Sequence, residues 1–323
     1  MTREDGAKQQ NPAIIKDITL DDLMPGDVTV RVKYTTVNYK DALAITGKSP
    51  ILRTYPMIPG IDLAGEVVSS ESAKFKPGDK VLLNGFGVGE THMGAFAGMA
   101  RLKSEWLIPQ PEGLSGWQAM AIGTAGYTAM LCVMALERAG LTPADGPVLV
   151  TGAAGGVGSV AISVLSKLGF HVIASTGRAS EEAYLKRLGA KEIIDRNELS
   201  MPGRPLGKER WAGAIDTVGS FTLANVLSQT RYGGSVACCG LAQGLDLPAS
   251  VAPFILRGIT LYGIDSVMAP IERRIEAYRR LVSDLDKDLL TEVASEIGFD
   301  DIMGKAEELL AGKVRGRLVV TMS

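Results

Sequence analysis

The chain has 323 residues, enough for two domains and a large apolar core, and 46% of its residues are hydrophobic. Its formal net charge is −2 without any block of like charges, which argues against nucleic acid or an anionic membrane surface as a partner. Three cysteines in apolar surroundings argue against a disulfide framework, and residues 1–10 do not resemble a secretory signal. We therefore expect a cytoplasmic protein.

The first 120 or so residues are typical of a compact β-rich domain. Residues 27–37 alternate in polarity, which predicts a strand with its even-numbered side chains buried and its odd-numbered ones solvated. Further short strands are predicted over 61–68, 80–83 and 99–102, with Pro-Gly pairs marking turns between them.

Residues 117–136 carry no charge, and a run of this length could span a membrane. Gln118 and the segment Gly123-Thr124-Ala125-Gly126 interrupt it. We therefore interpret the run as the end of one helix, a turn, and a buried helix from about Tyr127 to Arg138.

The pattern changes after Gly123, where apolar runs of strand length alternate with helical ones. This alternation predicts an α/β fold with a doubly wound parallel sheet and helices on both faces. Six strands are predicted, as in a full Rossmann sheet: 148–152, 170–174, 191–194, 213–217, 234–239 and 259–264. Residues 271–281 and 305–310 then predict helices, and residues 317–321 predict a strand that returns to the first domain.

The most informative stretch is residues 148–158, Val-Leu-Val-Thr-Gly-Ala-Ala-Gly-Gly-Val-Gly. An apolar run ends in glycines and a helical segment follows, which predicts a strand, a tight turn and a helix. The free N–H groups and positive dipole end of such a helix bind a pyrophosphate, and glycine lets the backbone approach it. Ala153 stands where the G-x-G-x-x-G pattern has its first glycine, so a glycine-rich turn without a ligand remains an alternative.

The end of the second strand of this sheet indicates NADPH as the cofactor, in preference to NADH. Sites for NAD usually place Asp or Glu about 20 residues beyond the glycines, to bind the ribose 2′-hydroxyl. This chain has Ser175-Thr176-Gly177-Arg178 there, and Arg196 follows the third strand. Hydroxyls and guanidinium groups bind a 2′-phosphate that a carboxylate would repel. A polar turn with incidental arginines is the alternative interpretation.

Six further motifs cover nearly the whole chain in a fixed order: residues 38–42, 56–62, 87–90, 123–126, 211–219 and 263–268. Together they resemble the acrylyl-CoA reductase family, in the zinc-free quinone-oxidoreductase-like branch of the medium-chain dehydrogenase/reductase superfamily. The resemblance implies a Rossmann NADPH-binding domain over 123–267, inserted in a GroES-like catalytic domain formed by 1–122 and 268–323.

Zinc enzymes of this superfamily have a cysteine at the position of Asn38 and a histidine at the position of Ile61. An isoleucine cannot ligate zinc and a neutral amide is a poor ligand, so we expect no catalytic metal. The four-cysteine structural zinc site is excluded because the chain has three cysteines. Without a Lewis acid, reduction of a conjugated double bond is favoured over alcohol oxidation.

The resemblance implies that NADPH reduces the 2,3 double bond of a short enoyl-CoA, acrylyl-CoA above all, in a homodimeric enzyme. It implies cofactor contacts at Tyr39, Ala154, Gly155, Gly156, Val157, Thr176, Gly177, Arg178, Arg196, Leu241, Ile255, Ser266 and Arg317. Tyr39 is also the leading candidate for the proton donor, with a purely packing role as its alternative. Two other functions stay open: an NADPH:quinone oxidoreductase, and an NADPH-binding redox sensor without turnover.

Overall fold

The computed structural model describes residues 1–3, 11 and 13–322, so most of the stretch in which no secretory signal is predicted lies outside the described residues. Its strands are β1 Val28–Thr36, β2 Asp62–Ser70, β3 Lys80–Asn84, β4 Met99–Leu102, β5 Ile108–Pro109, β6 Val148–Val150, β7 Val172–Thr176, β8 Glu192–Asp195, β9 Trp211–Asp216, β10 Thr230–Cys238, β11 Thr260–Gly263, β12 Ala294–Gly298 and β13 Arg317–Thr321. Its α-helices are α1 Tyr39–Thr46, α2 Gly116–Arg138, α3 Gly156–Lys167, α4 Glu182–Arg187, α5 Ser220–Gln229, α6 Ala252–Arg257, α7 Ile271–Asp284, α8 Leu290–Val293 and α9 Ile302–Leu310.

The chain divides into two compact units. The first comprises Met1–Thr124, Ser266–Tyr278 and Leu290–Ser323, and the second comprises Ala125–Asp265 and Arg279–Leu289. The sequence boundaries place all of 268–323 in the catalytic domain, whereas Arg279–Leu289 lies in the second unit. One reason is that Arg280 forms a bidentate ion pair with Glu137 of α2, with N–O distances of 2.8 and 3.0 Å.

The first unit is built on a seven-stranded sheet. Its order is β12-β13-β1-β2-β3-β5, with β4 paired to β1 as well. The alternation predicted for β1 is confirmed for its valines, which are buried, and for Arg31 and Lys33, which are exposed. It is wrong for Thr29 and Thr35, which are buried. The Thr35 hydroxyl compensates by donating to the main-chain oxygen of Asp62 on the neighbouring strand, at 2.6 Å.

The second unit contains a six-stranded sheet in the order β11-β10-β9-β6-β7-β8, with every neighbouring pair parallel. The strand order reverses between β6 and β9, which is the doubly wound Rossmann arrangement predicted from the sequence. The carboxyl ends of β6 and β9 therefore meet at the switch point, where ligands of such folds bind. The central strands β6 and β9 are buried throughout, as expected for a parallel sheet covered on both faces.

Within the described residues, α2 is the one helix long and apolar enough to cross a membrane, and 94% of its most apolar window is buried inside the protein. Gly123 interrupts the helix with φ 50° and ψ −162°. This interruption confirms the predicted break in the uncharged run. The conformation of Gly123 is accessible to glycine but strained for other residues.

Candidate cofactor and substrate site

The glycine-rich turn joins β6 to α3 at the carboxyl edge of the parallel sheet. Gly152 has φ 58°, a left-handed conformation that favours glycine. A Cβ at Gly158 would lie 2.7 Å from Cα of Ala153, so the missing side chain allows α3 to begin this close to the turn. Residues 154–157 form the end of the turn and the first helical residues, with Gly155 as the N-cap. The first N–H groups of α3 lack acceptors within the helix and can bind an anion.

Ala153 replaces the first glycine of the usual pattern without disturbing this turn. Its side chain is fully buried, and its N–H donates to the main-chain oxygen of Ser175 at 3.2 Å. The turn is thereby tied to the end of β7, where the residues predicted to select the cofactor lie.

Two arginines flank Gly177 at the ends of β7 and β8. Thr176, the last residue of β7, pairs with Asp195, the last residue of β8. A Cβ on Gly177 would lie 2.6 Å from Cδ and 2.8 Å from Cζ of Arg196, so the glycine lets the Arg196 side chain lie against the turn. The N–H of Arg178 donates to Oγ1 of Thr176 at 3.2 Å. The Arg196 side chain therefore lies against the turn that carries the Thr176 hydroxyl and Arg178, and these groups are suited to a phosphate.

A buried carboxylate lies at the switch point between β6 and β9. Asp216, at the end of β9, accepts a hydrogen bond from the Thr151 hydroxyl at 2.7 Å and from the Val218 and Gly219 N–H groups at 3.2 and 2.8 Å. The Thr217 N–H donates in turn to Oγ1 of Thr151 at 3.0 Å. Burial raises the pKa of Asp216, and these hydrogen bonds oppose the shift. The cluster fixes the loops that follow β6 and β9.

An open groove follows the carboxyl ends of β10 and β11. Its volume is about 480 Å³, and its lining residues are Cys238, Cys239, Gly240, Leu241, Gly263, Ile264 and Asp265. Leu241 is half exposed there, which suits its predicted contact with the cofactor. Ile255, on α6, is strongly exposed but does not line this groove.

In the first unit, Tyr39 is the first residue of α1, and its side chain is 46% exposed. Asn38 precedes it as the N-cap and donates its main-chain N–H to Oδ2 of Asp41 at 2.9 Å. Asp41 also accepts from the N–H of Ile61 through Oδ1, at 3.1 Å. This capping arrangement satisfies the helix end and fixes the backbone on both sides of Tyr39.

The pKa of Asp41 is raised to about 7, mainly because burial disfavours the charged carboxylate. The neighbouring Asp62 raises this pKa as well, whereas hydrogen bonds from Asn38 and Ile61 lower it. At neutral pH the Asp41 carboxyl is therefore poised between its protonated and ionised forms, two residues from the candidate proton donor Tyr39.

Asp62 is the centre of a buried polar cluster, which we call the Asp62 cluster: Asp62, Asn38, Asn84, Thr124 and Arg317. The Asp62 carboxylate accepts from Nδ2 of Asn38 at 2.8 Å and from Nδ2 of Asn84 at 2.7 Å. It also accepts from the N–H and the hydroxyl of Thr124, at 2.8 and 2.5 Å. The Arg317 guanidinium lies 3.9 Å away as the counter-charge. The Asp62 side chain is fully buried, yet its charge is well compensated.

Arg317 has structural partners within the same unit. It is 4% exposed, and it donates to Oγ1 of Thr36, Oδ1 of Asn38 and the main-chain oxygen of Ala121 at 2.8, 2.9 and 3.3 Å. Burial lowers its pKa, and the nearby Asp62 opposes that shift. A contact between Arg317 and the cofactor stays a prediction, because these hydrogen bonds already account for its position.

The structure therefore groups the predicted site residues in two sets. Ala154 to Val157, Thr176 to Arg178 and Arg196 come together at the carboxyl edge of the parallel sheet, with Leu241 in the groove on the same edge. Tyr39, Ser266 and Arg317 belong to the first unit. Each of these cofactor contacts remains a prediction.

Comparisons with known proteins agree with this architecture. The family model for the alcohol dehydrogenase GroES-like domain matches residues 24–112, and the model for the zinc-binding dehydrogenase family matches residues 156–284. Acrylyl-CoA reductase AcuI of Ruegeria pomeroyi is 51% identical over 321 residues, which cover 99% of this chain and 97% of that protein. The chain belongs to the acrylyl-CoA reductase family.

Solved structures with the same fold have nicotinamide cofactors bound. The crystal structure of Escherichia coli K-12 YhdH with bound NADPH is 52% identical, covers 97% of this chain and 96% of that chain, and superposes with a TM-score of 0.95. The Bacillus subtilis protein YhfP with NAD bound is 43% identical, covers 96% and 95%, and has a TM-score of 0.92.

The residues of this chain do not fit the metal named by one of the family models. Asn38 stands where zinc enzymes of the superfamily have a cysteine, and its Oδ1 already accepts a hydrogen bond from Arg317. Ile61 has no ligating atom. In the part of the chain that the structure describes, no group of three or more His, Cys, Asp or Glu residues could hold a metal ion.

Sequence reasoning missed several residues that shape this site: Asn84, Thr124, Thr151, Asp216 and Arg274. Most share a usable signal, since Asn84 and Asp216 end apolar strands and Thr151 directly follows one. A polar residue at the end of a buried strand lies at the sheet edge where loops must be fixed. Arg274 gives no such signal, because it lies within the charged run Glu272-Arg273-Arg274 of a helix.

Proposed function

We propose that this enzyme reduces the 2,3 double bond of acrylyl-CoA to give propionyl-CoA, with NADPH as the reductant and without zinc. The observation that carries this proposal is the 51% identity to an acrylyl-CoA reductase over almost the full length of both chains. Arg196 against Gly177 and Arg178 next in the chain support the choice of a phosphorylated cofactor, because their charges match a 2′-phosphate.

The residues present fit this cofactor. Glycine at position 158 allows α3 to begin directly against the glycine turn, and the first N–H groups of this helix would bind the pyrophosphate. Thr176, Arg178 and Arg196 would hold the 2′-phosphate, and Leu241 would give apolar contact in the groove. When bound, the reduced nicotinamide supplies the hydride for the β-carbon.

The first unit would serve the substrate. The thioester carbonyl withdraws electrons from the β-carbon, so no Lewis acid is needed to activate the double bond. The hydroxyl of Tyr39, a half-exposed residue, is our candidate to donate a proton to the α-carbon, with the Tyr39 backbone fixed by Asn38 and Asp41. The Asp62 cluster would replace a metal ion as the polar centre that holds these segments in place.

The proposed function is tested by measuring NADPH oxidation with acrylyl-CoA, crotonyl-CoA and a small quinone, each with a chelator present. We expect kcat/KM for acrylyl-CoA to exceed that for the quinone by at least about tenfold, since tenfold corresponds to only about 1.4 kcal/mol of transition-state stabilisation. A preference for the quinone would favour the oxidoreductase alternative. Binding of NADPH without turnover of any of the three would favour the redox sensor.

We also propose that the enzyme is a cytoplasmic homodimer. Strand β11 ends the parallel sheet, and in the described part of the chain it pairs with β10 alone. Helix α6 directly precedes β11 in the chain and has the strongly exposed apolar side chains Ile255 and Leu256, with the exposed Val251 just before it. An unprotected edge with apolar neighbours favours pairing with a second copy. Sedimentation equilibrium at micromolar concentration should give twice the mass of 34.1 kDa; a monomer mass would reject the proposal.

A further inference from the structure

Arg274 is a buried arginine that binds main-chain oxygens of two separate segments. It lies on α7, and only 2% of its surface is exposed. Nη1 donates to the oxygen of Asn84 at 2.5 Å, and Nε donates to the oxygen of Ala269 at 3.0 Å. Nη2 donates to the oxygens of Ser266 and Val267, at 3.0 and 2.7 Å. The guanidinium thus holds the segment 266–269 against the end of β3.

The same two segments are in close contact around this arginine. The Arg274 guanidinium lies 4.0 Å from the centre of the Phe86 ring, a cation–π geometry. The Phe86 N–H donates to the Val267 oxygen at 2.9 Å. A Cβ on Gly85 would lie 2.8 Å from that oxygen, so the approach depends on glycine at this position. The segment 266–269 is therefore fixed by hydrogen bonds from the Arg274 side chain and by close contact with the backbone of residues 85–86.

This contact continues into the Asp62 cluster. Tyr278, one turn after Arg274 on α7, donates its hydroxyl to Oδ1 of Asn84 at 2.7 Å. Asn84 then donates Nδ2 to Asp62 at 2.7 Å. One face of α7 thus fixes Asn84 through both its main chain and its side chain, and through Asn84 it supports Asp62.

We propose that Arg274 is a positioning residue for the cofactor, which it serves by fixing the backbone of residues 266–269. The proposal rests on the proposed function, because Ser266 is a cofactor contact expected from the family resemblance. Binding several carbonyl oxygens of the segment 266–269 and of Asn84 at once requires an arginine side chain. A planar fork of five N–H donors reaches carbonyl oxygens in several directions at once, whereas the compact ammonium of lysine cannot match that arrangement.

The test uses Arg274→Lys, with Arg273→Lys as the matched control on the exposed face of the same helix. We expect amide exchange in residues 266–269 to become at least about tenfold faster in Arg274→Lys. The Kd for NADPH should rise about tenfold, the loss expected when a charge-assisted hydrogen bond is broken. Arg273→Lys should change neither quantity. Both measurements are made without an enoyl-CoA substrate, so they stay informative if the proposed reaction is wrong.

A double-mutant cycle separates positioning of Ser266 from general destabilisation. The Ser266→Ala variant lacks the hydroxyl through which Ser266 would bind the cofactor, so in this background Arg274→Lys should weaken NADPH binding by clearly less than in the wild type. Additive losses, or an unchanged Kd despite faster exchange, would overturn the proposal. If Arg274→Lys fails to fold, Arg274→Gln and the Ser266→Ala cycle supply the same comparison. Unchanged exchange of residues 266–269 in a folded variant would also refute it.

Discussion

Replacing Asp62 with asparagine is expected to destabilise the first unit by about 3–5 kcal/mol, the range found when one partner of a buried charge pair is removed. Each carboxylate oxygen of Asp62 accepts two hydrogen bonds, and the donors are Asn38, Asn84 and Thr124. An amide can offer only one oxygen, so its NH₂ group would meet donors. The buried Arg317 would also lose its counter-charge.

Hydrogen exchange in increasing urea, followed at the amides of β1 and β2, measures this loss within the first unit alone. Exchange in β6 and β9 of the second unit serves as the internal reference. Asp300→Asn, on the exposed surface of the first unit, should change stability by no more than about 0.5 kcal/mol. A loss below about 1 kcal/mol in Asp62→Asn would mean that the cluster is not a main source of stability.

Replacing Arg196 with glutamine is expected to weaken NADPH binding by about 10- to 100-fold while leaving NADH binding nearly unchanged. A charge-assisted hydrogen bond to a phosphate contributes about 1.5–3 kcal/mol, and each 1.4 kcal/mol is a factor of ten. NADH lacks the 2′-phosphate, so its affinity should not depend on a cation at this position. Arg178→Gln should have a similar effect, since Arg178 directly follows Gly177 and is the second cation expected to bind the 2′-phosphate.

Isothermal titration of each variant with both cofactors measures this selectivity. Lys191→Gln is the matched control, because Lys191 precedes β8 at its opposite end and its loss removes the same charge. An equal loss for NADPH and NADH would indicate a damaged fold. Unchanged NADPH affinity in both arginine variants would show that the 2′-phosphate binds elsewhere.

The sequence predicts those parts of the fold that depend on local pattern. The parallel sheet follows from apolar runs of strand length, and the turn at 151–158 follows from its glycines. The sequence does not predict the strand Ala294–Gly298, because Ala-Ser-Glu-Ile-Gly has little apolar character. It forms since β13 offers a parallel partner along its full length.

Much of the candidate site depends on long-range contacts, which local pattern does not reveal. The sequence predicts Arg317 only as the start of a final strand, yet its hydrogen-bond partners include Thr36 and Asn38, about 280 positions earlier in the chain. From the sequence, Arg274 is one charge in an apparently exposed helix, whereas in the structure it is buried by its contacts with Asn84, the segment 266–269 and the Phe86 ring. Burial and hydrogen bonding of such side chains depend on tertiary structure, which overrides local propensity.

The pairing of β13 with β1 has a consequence for biosynthesis. During translation, the continuous segment Ala125–Asp265 of the second unit leaves the ribosome while the last strand of the first unit is still unmade. The sheet of the first unit therefore cannot be completed before Arg317–Thr321 has been synthesised. Pairing between strands so distant in the chain is intrinsically slow. Nascent chains that stall before this point would expose an unfinished β-sheet, the state in which chaperones would matter most.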